Sequence, residues 1–157
     1  MEENLPTPRL VTAQVYASIN HAELGQLLRK YGHDAGQVDD DGRPAWRTLA
    51  APRFTALPQS PLRSQPGEFE SVFLYAYVFG TPAISAAVIR NLQWKTIFAH
   101  LIMHNSGHIA ATHSIQLTGG VSERFVREQL RTWMQDLERV RHEVTRQLRK
   151  AAGSTLH

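Results

Sequence analysis

The stretch VFLYAYVF, residues 72–79, decides how this chain is read. It carries no charge. Read with a period of two, it splits into an aliphatic row, Val72, Leu74, Ala76 and Val78, and an aromatic row, Phe73, Tyr75, Tyr77 and Phe79. Successive side chains of a strand point to opposite faces. A strand that buries one face and wets the other should alternate apolar with polar. Here neither row is polar, so both faces need cover. Helices of the same chain can supply one cover. The other row then belongs to an intermolecular surface, dimeric or client-binding.

Downstream, TPAISAAVIRNL (81–92) has helical spacing, with Thr81 as cap, Pro82 in the first turn, and Ile84, Val88 and Leu92 on one face. Residues 96–117 predict a β-hairpin about Asn105-Ser106-Gly107. Folding there pairs His104 with His108, Met103 with Ile109, Leu101 with Ala111, Ala99 with His113, and Ile97 with Ile115. That register collects Ile97, Ala99, Leu101, Met103, Ile109, Ala111 and Ile115 on an apolar face. Thr118-Gly119-Gly120 is a turn, read as such rather than as an anion site, and Ser122 caps a last helix over 122–150. Its apolar seam runs Val126, Leu130, Trp133, Leu137, Val140, Val144, at near-heptad spacing. Such a helix is about 43 Å long, enough to span a domain whose radius of gyration is roughly 15 Å.

Upstream, residues 51–67 carry prolines 52, 58, 61 and 66, with Pro44 just before, and predict a loop. VDDDGRPAW (38–46) predicts two strands joined by a turn at Asp41-Gly42. A calcium loop is disfavoured, because Gln37 and Thr48 stand where acidic ligands are needed. Asn20 and Glu23 have capping-box spacing, and Leu24, Leu27, Leu28 and Tyr31 follow at helical intervals up to Gly32. Residues 10–19 suit a strand or a first helical turn, and 1–9 a loose arm. The expected architecture is α+β: a single domain over 1–157, an antiparallel sheet packed on helices, in the order α-β-β-β-α-β-β-α.

With 157 residues, 42% hydrophobic and 20% charged, the chain can bury a core. It has no apolar run long enough to span a bilayer, no signal-peptide pattern at MEENLPTPRL, and no cysteine. These features suit the cytoplasm and exclude thiol catalysis and cysteine-ligated zinc. The net charge of +3 sits entirely within 122–150, which holds eight basic and five acidic residues. No G-x-S-x-G or H-E-x-x-H is present. The expectation is a non-enzymatic protein without cofactor or metal.

Four histidines, His100, His104, His108 and His113, fall close together. On a hairpin only His104 and His108 meet across the turn, giving two ligands at most, so they are read as a solvent-facing pair rather than a zinc site.

The segment 81–140 resembles the YbjN-like family. The resemblance lies in a helix ending at Asn91-Leu92-Gln93-Trp94, a hairpin, and LTGGVSERFVREQLRTWMQDL. The DDDG turn and the first helix sit where that family has them; the Pro-rich segment departs from it. The resemblance implies a fold similar to type III secretion chaperones, dimerisation, and binding of a protein client, with no enzymatic activity. A deinococcal relative is a partner of the single-stranded-DNA-binding protein DdrB, which implies a client in DNA replication or repair.

On these grounds Phe73, Tyr75, Tyr77, Phe79, Trp94 and Trp133 are candidates for a partner or dimer surface. Arg139, Arg141, Arg146, Arg149 and Lys150 are candidates for contacts with an anionic partner. The alternative is direct binding of single-stranded nucleic acid, since in-row aromatics about 6.7 Å apart suit base stacking. Against it, Glu68 and Glu70 flank the row and repel phosphate.

Overall fold

The computed structural model of the protein describes residues 14–78, 84–105 and 107–154. In chain order these form β1 (Val15–Tyr16), β2 (Ile19–Asn20), α1 (His21–Lys30), β3 (Ala35–Asp40), β4 (Arg43–Thr48), β5 (Thr55–Pro61), β6 (Glu68–Val78), α2 (Ala86–Gln93), β7 (His100–Met103), β8 (Ile109–Gln116), β9 (Val121–Ser122) and α3 (Glu123–Ser154). The main sheet runs β3-β4-β5-β6-β8-β7, with β2 added to the start of β6. All its pairings are antiparallel. β1 and β9 form a separate two-stranded ribbon. The α+β class is as expected. The added elements are the short strands β1, β2 and β9, and β5.

The local signals are met where local chemistry suffices. Asn20 accepts from the Glu23 amide at 2.9 Å, and the Glu23 carboxyl accepts from the Asn20 amide at 3.0 Å, closing the capping box. Asp41 and Gly42 have φ of 52° and 79°, both in the left-handed region, as the tight hairpin between β3 and β4 requires. Asp39 Oδ1 accepts from the Gly42 amide at 2.7 Å, so this carboxyl braces the turn. Ser122 Oγ accepts from the Phe125 amide at 3.1 Å and caps α3.

The core is built on one face of the sheet. Val72, Leu74 and Ala76 of β6 and Ile109, Ala111 and Ile115 of β8 are buried. They share one apolar cluster with Val126, Leu130, Trp133, Leu137, Val140 and Val144 of α3, the full predicted seam. Burying each large aliphatic side chain contributes about 1.5–3 kcal/mol. α1 covers the other end of the same face. A Cβ at Gly25 would stand 2.3 Å from the Trp46 ring, so only glycine lets the helix approach that indole. Trp46 Nε1 donates to the His21 carbonyl at 2.8 Å. Glu123 ties the helices together, accepting from the Tyr31 hydroxyl at 2.5 Å and pairing with Lys30 at 2.5 Å.

Three expectations are corrected. The Pro-rich segment is not a loop throughout: 55–61 is the central strand β5. β5 pairs with β6 from Thr55 to Pro61 but with β4 only at Thr55 and Ala56. Beyond Ala56 it has, among the described residues, a strand on one side only, and prolines are tolerated where no ladder bond is asked of their nitrogen. The second helix starts at Ala86 with Ser85 as its N-cap, while the expected cap Thr81 and Pro82 lie outside the described residues. In the hairpin, Met103 pairs with Ile109 and Leu101 with Ala111 as expected, but pairing ends at His100–Thr112.

The reason is Asp136. The amides of Ile97, Phe98 and Ala99 donate to its carboxyl at 3.0, 2.7 and 2.9 Å, which draws the chain out of the ladder toward α3. Phe98 then stacks on His113 at 4.8 Å. Ile97, expected on the apolar face, is 62% exposed.

Candidate functional site

The buried residues of all three helices join one core cluster, so the helices lie on one side of the sheet. The other face carries no helix among the described residues. Its spine is the aromatic row. The rings of Phe73 and Tyr75 are 6.0 Å apart, those of Tyr75 and Tyr77 5.8 Å, and Tyr77 reaches His104 at 6.4 Å. Phe73 and Tyr75 are half-buried, and Tyr77 is 56% exposed. Opposite Phe73 and Tyr75 on β5 stand Leu57 and Thr55, and opposite Tyr77 on β8 stands Ala110. All three are buried, with no helix above them among the described residues.

The row is fixed in place. The Tyr75 hydroxyl donates to Asp40 Oδ1 at 2.8 Å. Burial, then this carboxyl, push the Tyr75 hydroxyl above its ordinary pKa, so it stays a donor. Asp40 also meets Arg43 at 3.3 Å. Arg47 lies opposite Thr55 in the register and donates to its hydroxyl at 3.3 Å.

A second exposed apolar region lies along the β7 edge. Trp94, at the end of α2, is 86% exposed; Ile97 is 62%, Ile102 44% and Met103 38% exposed. Half of the large hydrophobic side chains exposed among the described residues thus fall within 94–103. β7 is the last strand of the sheet, and His-Leu-Ile-Met carries none of the charges, prolines or bulges that usually blunt an edge.

The predicted site residues separate into several places. Phe73, Tyr75 and Tyr77 share the helix-free face. Trp94 is exposed at the β7 edge. Trp133 is fully buried in the core, edge-on to Phe54 at 6.2 Å. It cannot form a partner surface: it is a seam residue of α3 and covers the aliphatic row. Phe79 lies outside the described residues. Arg139 is spent on Asp136 at 3.1 Å and on the Lys95 carbonyl at 3.3 Å. Arg141 pairs with Glu138 at 2.8 Å and Arg146 with Glu143 at 2.6 Å, while Arg149 and Lys150 are exposed near the end of α3. The basic end is thus largely neutralised one helical turn at a time.

The histidines do not converge as one set. His100 and His104 are exposed, whereas His113 is half-buried on the core side and its Nε2 meets Gln129 Oε1 at 2.8 Å. Burial pushes its pKa down, and the Gln129 contact and Asp136 oppose this. Among the described residues, no group of three or more His, Cys, Asp or Glu could hold a metal ion. Sequence reasoning missed Arg47 as a site residue. The alternation around Trp46 carried the signal, since a core-facing Trp46 puts Arg47 on the opposite face.

No family profile matches the chain, and no curated protein matches it. Solved structures do. YbjN from E. coli superposes with a TM-score of 0.54 at 14% identity, over 80% of this chain and 89% of that one. The fold is YbjN-like. An uncharacterized protein from Methanothermobacter thermautotrophicus superposes with a TM-score of 0.56 at 12% identity, over 85% of this chain and 99% of that one. At these identities the likeness is one of fold. It carries no client, and the DdrB partnership is not among what these structures describe. Among the described residues, no helix is long and apolar enough to cross a membrane.

Proposed function

We propose that the protein is a non-enzymatic, cytoplasmic adaptor that works as a homodimer and holds a protein client on the helix-free face of its sheet. The observation that carries this reading is the asymmetry of β6: one row is sealed by α3, while the other ends in an exposed Tyr77 with no helix over it among the described residues. The uncharged β7 edge is the dimer contact. Two copies of β7 paired antiparallel about a two-fold axis normal to the sheet extend it across both subunits and cover Ile102 and Met103. The client is a DNA replication or repair protein such as a single-stranded-DNA-binding protein, a choice that rests on the family resemblance alone. YbjN itself is described as a candidate transcription regulator, a role an adaptor can fill by holding another protein.

The test is a tagged pull-down from native lysate, with and without nuclease, read by mass spectrometry. A discrete protein partner that survives nuclease and is lost in Tyr77→Ala is the expected result. Partners that vanish with nuclease overturn the reading. They favour instead direct single-strand binding, for which the ring spacing of the aromatic row speaks, and whose mark is a steep salt dependence. Light scattering of Ile102→Lys tests the dimer: the expected product is a monomer.

A further inference from the structure

Resting on the adaptor reading, we propose that the client enters as an extended acidic segment that adds a strand beside the end of β6. The site is the stretch of β6 that has a neighbouring strand on one side only among the described residues. β5 begins at Thr55, opposite Tyr75, so residues 76–78 of β6 pair with β8 on one side and, among the described residues, with no strand on the other; Ala76 is sealed under α3, which leaves Tyr77 and Val78 as the accessible part of that edge. The backbone edge there borders two adjoining cavities. One, of about 330 Å³, opens on the helix-free face and is lined by Arg47, Arg53, Tyr75 and Tyr77. The other, of about 280 Å³, passes between the turn at 51–53 and α3 and is lined by Arg53, Tyr77, Val78, Arg141 and Leu148. Arg53, Ala76 and Tyr77 border both, so the two cavities flank the same stretch of edge, and the proposed slot is the pair of them.

The chemistry of the slot selects its occupant. An unpaired strand edge offers alternating amide and carbonyl groups, which an extended peptide satisfies through its own backbone. A nucleic-acid strand has no matching ladder. The charges select the sign. Arg43, Arg131, Arg139, Arg141 and Arg146 each have a carboxyl partner within one turn. Arg47 and Arg53 do not: they donate to the Thr55 hydroxyl and the Leu49 carbonyl, both neutral groups, and form no ion pair among the described residues. Two guanidinium groups without an ion-pair partner among the described residues, beside the accessible edge at Tyr77 and Val78, match a segment that alternates carboxylate with apolar side chains.

The probe is a short fluorescent peptide alternating glutamate and valine, titrated into the full chain by anisotropy. A lysine–valine peptide, an N-methylated glutamate–valine peptide and a short oligothymidylate are the comparisons. The glutamate peptide should bind. N-methylation, which removes the donors a strand needs, should abolish binding, and the double variant Arg47→Glu, Arg53→Glu should weaken it about tenfold or more. Both positions are exposed, so this variant should keep the wild-type melting temperature. Equal binding of the lysine or N-methylated peptide overturns the proposal, as does failure of the glutamate peptide to bind. Oligothymidylate binding that depends on Arg47 and Arg53 assigns the slot to nucleic acid and overturns it too. The slot and the adaptor reading fail separately. A nuclease-resistant partner held equally by wild type and the double variant sinks the slot and leaves the adaptor.

Discussion

The two faces of β6 differ by one residue of register and by everything that follows from it. Val72, Leu74 and Ala76 are no more than 4% exposed, under the seam of α3. Phe73, Tyr75 and Tyr77 alternate with them, and Tyr77 keeps 56% of its surface. Hydrophobicity alone does not assign these faces. Size and polarity do. The aliphatic row is small enough for α3 to lie close above it. The tyrosines carry hydroxyls that need water or an acceptor, and Tyr75 finds one in Asp40.

The comparison breaks most sharply through one substitution on each side. Trp133→Ala should cost about 3–5 kcal/mol, because it empties the centre of the covered face against Phe54 and His113. Trp133→Phe should cost less, since the indole N–H has no partner among the described residues and no hydrogen bond is lost. Tyr77→Ala should stay within about 1 kcal/mol of wild type, being exposed, and should act on partner binding instead. Urea denaturation of the three variants checks the ranking. If Tyr77→Ala unfolds as readily as Trp133→Ala, the open face is structural.

Much of this was legible in the residues, and the failures share a cause. The capping box at Asn20, the turn at Asp41-Gly42, the seam of α3 and the register at Met103–Ile109 all depend on neighbours close in sequence or on a strict period. β5 and the 97–99 segment depend on distant partners. Pro58 and Pro61 look like loop residues until β6 is known to claim one side of the strand and, among the described residues, no strand the other. Ile97 and Ala99 look like ladder residues until Asp136, nearly forty positions on, takes their amides. Trp133 belongs to both the expected partner surface and the expected α3 seam, and its spacing supports only the second.

The next sharpest break is Asp136 itself. It is fully buried and accepts from three consecutive amides of a segment that borders the β7 edge. Asp136→Ala leaves those donors without an acceptor, and should cost about 2–3 kcal/mol, since a buried unsatisfied group costs about 1–3 kcal/mol and solvent can reach part of this segment. The loss should be local. Amide hydrogen exchange should accelerate at 97–99 while 72–76 stays protected. Uniform acceleration across both would mean that Asp136 supports the fold as a whole rather than the edge.

The smallest expected effect is the response to acid, and it separates the covered face from the ionic contacts on the helices. Burial lowers the pKa values of His113, against Trp133, and of His33, edge-on to Phe54. A histidine whose folded pKa is depressed binds protons more readily when unfolded. Stability therefore rises with pH through that window: it is full above the unfolded value of about 6.5 and declines as pH falls below it. Glu143 behaves in a different window. Arg146 and Gln147 hold its carboxyl down to about 2, so its contribution fades only as pH drops below the ordinary carboxylate range toward that value. The urea midpoint should fall between pH 7.5 and 5.5, conditions under which Glu143 stays ionised, and His113→Gln should flatten part of that fall. A midpoint unchanged over this interval would mean that both rings take up protons in place, and that the core beneath the aliphatic row is wetter than its packing indicates.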